Sequence, residues 1–219
     1  MAIPSAGRPS PDAPVRAIPH SMPWATNSAR PEHVEAEFPD GITVEQARCV
    51  LETGDIILFQ GRYLVSSAYR WARGGDYYSH AAIVAEWDHD WILLQAEAAG
   101  VQAVELWNAV AQYNGLSDWY RLTDACRQKI ALDVLLHEAA DLGLPFGVLE
   151  FLIHLTHWWL GLTSPKRSGH PKAFFCSQYV AHCFRKANIV LTGLLDADTM
   201  PDDISRSGWL QRMGPIWLD

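Results

Sequence analysis

The chain has 219 residues, a hydrophobic fraction of 49% and a formal net charge of −8, with a pI near 5.5. That length fits one domain with a real core plus an appendage, and the acidic balance argues against the basic face that nucleic-acid binding needs to neutralise phosphates. The four cysteines (Cys49, Cys126, Cys176 and Cys183) lack the close, regular spacing of a disulfide framework or a zinc ribbon, so a reducing compartment is the default.

Residues 1–43 hold eight of the thirteen prolines and few large aliphatics. Such a segment cannot bury enough apolar surface to offset its ordering entropy. It reads as a disordered or loosely docked arm ahead of a domain covering 44–219. No continuous apolar stretch near the start has the form of a secretory signal, so the expected location is cytoplasmic, with signal-independent export or virion delivery as the other routes.

Val44–Leu51 reads as a short helix, with Thr43 and Gln46 spaced as a capping box. Asp55–Phe59 is an apolar run between Gly54 and Gly61, the pattern of a buried strand. Residues 63–73 suit a helix stopped by Gly74-Gly75-Asp76. His80–Trp87 and Trp91–Glu97 read as strands joined by a turn at Asp88-His89-Asp90, with further strands at Val101–Leu106 and 117–122. A long helix is expected over 125–142, broken by Gly143-Leu-Pro145. The apolar stretch 147–162 suits a buried or interfacial helix rather than a span, because reaching membrane-spanning length means including Glu150, His154 and His157. Phe175–Ala187 has the spacing of an amphipathic helix, through Tyr179, Val180, Cys183, Phe184 and Ala187.

The chemistry starts from Cys176, which this reading places in the first turn of that helix. Unpaired N–H groups and the partial positive charge of a helix N-terminus favour a thiolate there and can hold an oxyanion. A nucleophilic cysteine needs a base, and the base an orienting partner. His80 opens a strand, and Glu97 lies on the next. Opposed residues of an antiparallel pair have a constant index sum. A two-residue loop at Asp88-His89 puts His80 opposite Glu97, as does a four-residue loop, whereas a three-residue loop puts Ala98 there and turns Glu97 away. Each residue alone has a bland reading: a small buried cysteine, a strand histidine, a solvated carboxylate. The combination is what carries the chemistry. Cys49 and Cys126 sit in apolar helical contexts and read as core. Cys183 lies two turns from Cys176, too far along one helix for a disulfide.

Several fragments, in this order, resemble the permuted branch of the NlpC-type papain-like superfamily, the YiiX/YebB-like group. They are Thr53-Gly-Asp55-Ile-Ile-Leu-Phe, Tyr78-Ser-His80-Ala-Ala-Ile-Val, Ala96-Glu97-Ala, Gly100-Val101, Tyr120-Arg121-Leu, Gly143-Leu-Pro-Phe146-Gly, and Phe175-Cys176-Ser177-Gln-Tyr-Val. The likeness covers roughly residues 50–205 and extends weakly to Met200-Pro-Asp-Asp203-Ile. In the unpermuted superfamily the cysteine helix precedes the histidine strand, and here the order is reversed. The resemblance implies an α+β fold, an antiparallel sheet packed against helices, with Cys176 as nucleophile, His80 as base and Glu97 as the third polar residue. It also exposes a departure. Many members carry a Tyr after a Gly-x-Pro turn near the oxyanion, and the matching residue here is Phe146, which cannot donate a hydrogen bond. Helix N–H groups then serve, or Tyr77 or Tyr78 substitutes, or the activity is weak. Ser177, Phe146 and Tyr78 are the expected oxyanion or pocket residues.

The implied reaction is acyl transfer at an amide or ester, with no metal or organic cofactor. His154 and His157, spaced i, i+3, lack a third ligand and read as packed or interfacial. The superfamily acts on peptidoglycan peptides and, in its lecithin:retinol acyltransferase-like relatives, on lipid acyl chains. A peptide, muropeptide or lipid is therefore the expected partner, with peripheral membrane contact through 147–162 and its Trp158-Trp159 pair as an option. A non-catalytic peptide- or lipid-binding module and a structural virion or assembly protein are the other classes.

Overall fold

The computed structural model describes residues 36–60, 78–97, 99–113, 117–123, 143 and 174–218. The expected arm up to residue 35 and the helices expected at 63–73, 125–142 and 147–162 lie outside these residues, as does Cys126.

Ile42–Thr43 (β1) leads into a single helical turn, Val44–Ala47 (α1). The capping box is present: Thr43 Oγ1 accepts from the Gln46 N–H at 3.2 Å, and Gln46 Oε1 accepts from the Thr43 N–H at 2.9 Å. The helix is shorter than expected. With Val44 and Ala47 turned inward, Cys49 falls in the turn after it and is exposed, not core. Strands follow at Ile56–Phe59 (β2), His80–Trp87 (β3), Asp90–Glu97 (β4) and Gly100–Glu105 (β5). A helix Leu106–Gln112 (α2) then precedes Ser117–Leu122 (β6). Cys176–Lys186 (α3), a 3-10 turn at Asp196–Asp198, Pro201–Ser205 (α4) and Leu210–Trp217 (β7) complete the described elements.

The strands form one sheet in the order β1-β7-β6-β2-β3-β4-β5. Every pairing is antiparallel except β1 with β7, which runs parallel and makes the sheet mixed rather than purely antiparallel. At the β6–β7 bulge, Gly214 has φ +150, and a Cβ there would lie 2.1 Å from the Phe38 carbonyl oxygen. Only glycine admits that approach.

β2 sits in the middle of the sheet and is buried on both faces, as its continuous apolar run requires. On one face Ile56, Leu58, Ala81, Ile83, Leu94 and Ala96 pack against α3. On the other, Ile57, Phe59, Ala82, Val84 and Leu93 pack against α1 and α2. Burial along α3 runs from Ser177 to Phe184 without a break, so the helix is a core element beyond its apolar face. Among the described residues no helix is long and apolar enough to cross a membrane.

Candidate active site

The β3–β4 hairpin turns through Asp88 and His89 alone, both in the left-handed region at φ 51 and 69. Asp and His tolerate that region better than most residues, and two such residues in succession make the tight turn that matches strand twist. Trp87 therefore pairs with Asp90, and Ile83 with Leu94. The index sum is 177, the register that puts Glu97 level with His80.

His80 is the first residue of β3, so its imidazole lies at the end of the strand, where α3 begins. Phe175 occupies the N-cap position, and Gln178 Oε1 reaches back to its N–H at 3.4 Å. Cys176 is thus the first helical residue, half-buried and free of any disulfide. The charge and ring of His80 and the backbone N–H groups of Ala81 and Ser177 act on its thiol electrostatically. Cys183 forms no disulfide and is buried in the core.

The imidazole is buried and held from several sides. Its Nε2 lies 2.9 Å from Gln95 Oε1. An amide oxygen only accepts, so Nε2 carries a hydrogen and Nδ1 is the ring nitrogen left to exchange a proton. Tyr113, which caps α2, stacks on the ring at 5.0 Å and 15°, and Phe59 lies 5.7 Å away. Glu97 Oε1 is 3.9 Å from Nε2, beyond hydrogen-bond range. Its carboxylate is instead engaged by the Tyr113 hydroxyl at 2.7 Å and Gln102 Nε2 at 2.8 Å.

The orienting contact expected from Glu97 therefore belongs to Gln95, while Glu97 contributes charge from just behind it. Gln95 shares the strand face of Glu97, and diagonal neighbours across a twisted antiparallel pair are within reach of long side chains. Gln95 is fully buried, and its amide nitrogen has no partner among the described residues, so the bond to His80 is its polar anchor there. Alternation along the strand was the available signal for Gln95. For Tyr113 it was the helical spacing of Leu106, Ala109 and Val110 just before it.

Electrostatics favour an ion pair. Burial pushes the Cys176 thiol up, but the charge of His80, its hydrogen bond and the two backbone N–H groups hold it below the ordinary thiol value. Burial likewise pulls His80 down, but the charge and hydrogen bond of Cys176, the Gln95 bond and the charge of Glu97 hold it above the usual imidazole value. Such a pair can act as a nucleophile with an adjacent proton donor.

The other expected pocket residues fare differently. The Ser177 hydroxyl is fully buried and donates to the Thr199 carbonyl at 2.7 Å, so Ser177 acts on the thiol through its backbone N–H alone, which lowers the thiol pKa. The Tyr78 hydroxyl donates to Asp118 Oδ2 at 2.7 Å and lies 3.0 Å from the Tyr120 hydroxyl, engaged in a buried polar cluster with Arg212 rather than offered to an oxyanion. Phe146, Tyr77, His154, His157 and the Trp158-Trp159 pair lie outside the described residues.

No protein-family model matches the chain, and no curated protein does. The class that the sheet and its helices define is α+β, and a solved structure shares it. The crystal structure of the metalloprotein yiiX from Escherichia coli O157:H7 superposes with a TM-score of 0.55 at 17% identity, over 74% of this chain and 95% of that one. The likeness is one of fold. That protein is described as a metalloprotein, but the described residues here hold no group of three His, Cys, Asp or Glu side chains able to bind a metal ion. At His80, Nε2 is on an amide oxygen and both Glu97 oxygens are engaged, so this donor set does not fit a metal.

Proposed function

We propose that this chain is a cysteine-nucleophile hydrolase of the permuted papain-like kind, cleaving an amide or ester acyl bond. The observation that carries the reading is the imidazole of His80, buried at the start of β3, anchored through Nε2 on Gln95 and electrostatically coupled to Cys176, the first residue of α3. The Cys176 thiolate attacks the substrate carbonyl carbon. Backbone N–H groups at the start of α3 receive the oxyanion. As the tetrahedral intermediate collapses, the His80 imidazolium gives its proton to the leaving amine or alcohol, and a thioester remains. The neutral imidazole then takes a proton from water, the hydroxide adds to the thioester, and the acid product leaves with the thiolate restored. A peptidoglycan-type peptide is the first substrate to try, with lipid acyl esters second.

The test is incubation of wild type and Cys176→Ser with muropeptides and, separately, with phospholipid vesicles, followed by mass spectrometry. Release of a hydrolysed product from one pool by the wild type alone is expected, and equal inertness of both proteins toward both pools favours a binding module. Gln95 provides a finer prediction. Gln95→Leu removes the Nε2 acceptor while keeping the bulk, and is expected to lower kcat roughly ten- to a hundredfold with little change in KM. Gln95→Glu restores an acceptor and is expected to recover part of that loss in steady-state kinetics.

A further inference from the structure

We propose that Thr199–Asp202 is a clamp that sets the separation of Cys176 and His80, with Asp202 as a positioning residue. This rests on the dyad reading above. The two reacting side chains come from elements far apart in sequence, so something must fix the first turn of α3 against the start of β3. Packing in the middle of the sheet fixes the bodies of these elements but leaves their ends to local contacts.

One short segment bonds to both ends. The Thr199 carbonyl accepts the hydroxyl of Ser177, the residue after the nucleophile, at 2.7 Å. Asp202 Oδ2 accepts the backbone N–H of Tyr78, two residues before the base, at 3.1 Å. The Ser79 N–H still reaches the Phe59 carbonyl of β2, so Asp202 takes over where the ladder ends. The span between the anchors is stiff. Pro201 fixes the first position of α4, the Asp203 carboxylate accepts the Met200 N–H at 2.9 Å, and the Thr199 hydroxyl donates to the Leu195 carbonyl at 3.1 Å. Ser177, Thr199, Met200 and Asp202 are all buried, where water cannot replace a lost partner and each bond holds its geometry. Displacement of about 1 Å between reacting groups lowers rate by roughly a hundredfold, so a segment tying both ends acts on the chemistry without touching it.

The test follows iodoacetamide alkylation of Cys176 against pH in the full chain, with the modified residue located by mass spectrometry and folding followed by thermal melting. Asp202→Ala and Ser177→Ala are each expected to slow alkylation at neutral pH roughly tenfold and move the profile upward, toward that of His80→Ala. Asp202→Asn keeps an accepting oxygen and is expected to retain the wild-type profile. An Asp202→Ala protein that melts lower yet keeps the wild-type profile overturns the clamp and leaves the dyad standing. If Asp202→Ala does not fold, Ser177→Ala decides on the same terms. A wild-type profile that His80→Ala does not move overturns the dyad reading and the clamp with it.

Discussion

Replacing His80 with alanine is expected to lower acyl hydrolysis by roughly a thousandfold, the range of a lost acid–base group, and to change how Cys176 responds to pH. In the wild type the thiol sits below its ordinary value, because the charge and bond of His80 and the N–H groups of Ala81 and Ser177 outweigh burial. Alkylation should therefore stay fast as pH drops below the ordinary thiol range, and fall only when pH passes the lowered value. Removing the imidazole leaves burial much less opposed, so the midpoint rises. The opposite limb belongs to the base. His80 is held above its usual value, and as pH rises through it the proton for the leaving group is lost. Hydrolysis then shows two limbs and alkylation only the acidic one. Since His80 is packed between Phe59 and Tyr113, melting of the variant is followed alongside. Superimposable alkylation profiles of two folded proteins would sink the dyad.

Two members of this site were legible in the sequence because local physics marks them. Cys176 follows two phenylalanines into a helical period, and His80 opens a strand whose two-residue turn fixes the register with β4. That register gave the right strand face but not the right side chain on it. Counting opposed pairs treats the sheet as flat, so it selected Glu97. In the twisted sheet the diagonal Gln95 makes the hydrogen bond, and Glu97 turns to Tyr113 and Gln102. Tyr113 was missed for another reason: it caps a helix, Leu106–Gln112, whose spacing the strand reading of Val101–Leu106 passed over.

β2 was readable as a continuous apolar run between glycines, and β3 and β4 through the turn that joins them. β7 was not. Its run, Leu-Gln-Arg-Met-Gly-Pro-Ile-Trp, contains a glycine and a proline that argue against a strand. Both are accommodated at or beside the β6–β7 bulge, where Gly214 meets Phe38. The helix α3 and its apolar face were legible from spacing, but the burial of its polar residues Ser177, Gln178 and His182 was not. The Ser177 hydroxyl and the Gln178 amide oxygen there meet the Thr199 carbonyl and the Phe175 N–H.

Two of the fragments that carried the family resemblance meet in space, and the second large effect is expected there. Asp55 is fully buried and accepts two hydrogen bonds from Arg121, at 2.9 Å from Nε and 2.7 Å from Nη2, and a third from the Glu52 N–H at 2.9 Å. Burial holds its carboxyl above the usual carboxylate range despite these bonds. The folded state thus binds its proton more readily than the unfolded chain, and Asp55 titration does not by itself drive unfolding on mild acidification. Deleting the carboxylate is another matter. Breaking a buried pair costs roughly 3–5 kcal/mol, because the surviving charge is left uncompensated. Arg121 keeps the Val50 carbonyl at 2.7 Å, the half-exposed Glu52 at 3.2 Å and the Trp119 ring at 4.8 Å, so the lower end, about 3 kcal/mol, is expected for Asp55→Ala in urea unfolding. Asp55→Ala combined with Arg121→Met removes the stranded cation and should recover a substantial part of the loss. If the double variant is instead as unstable as the sum of the singles, the two residues act independently and the pair does not join β2 to β6 energetically.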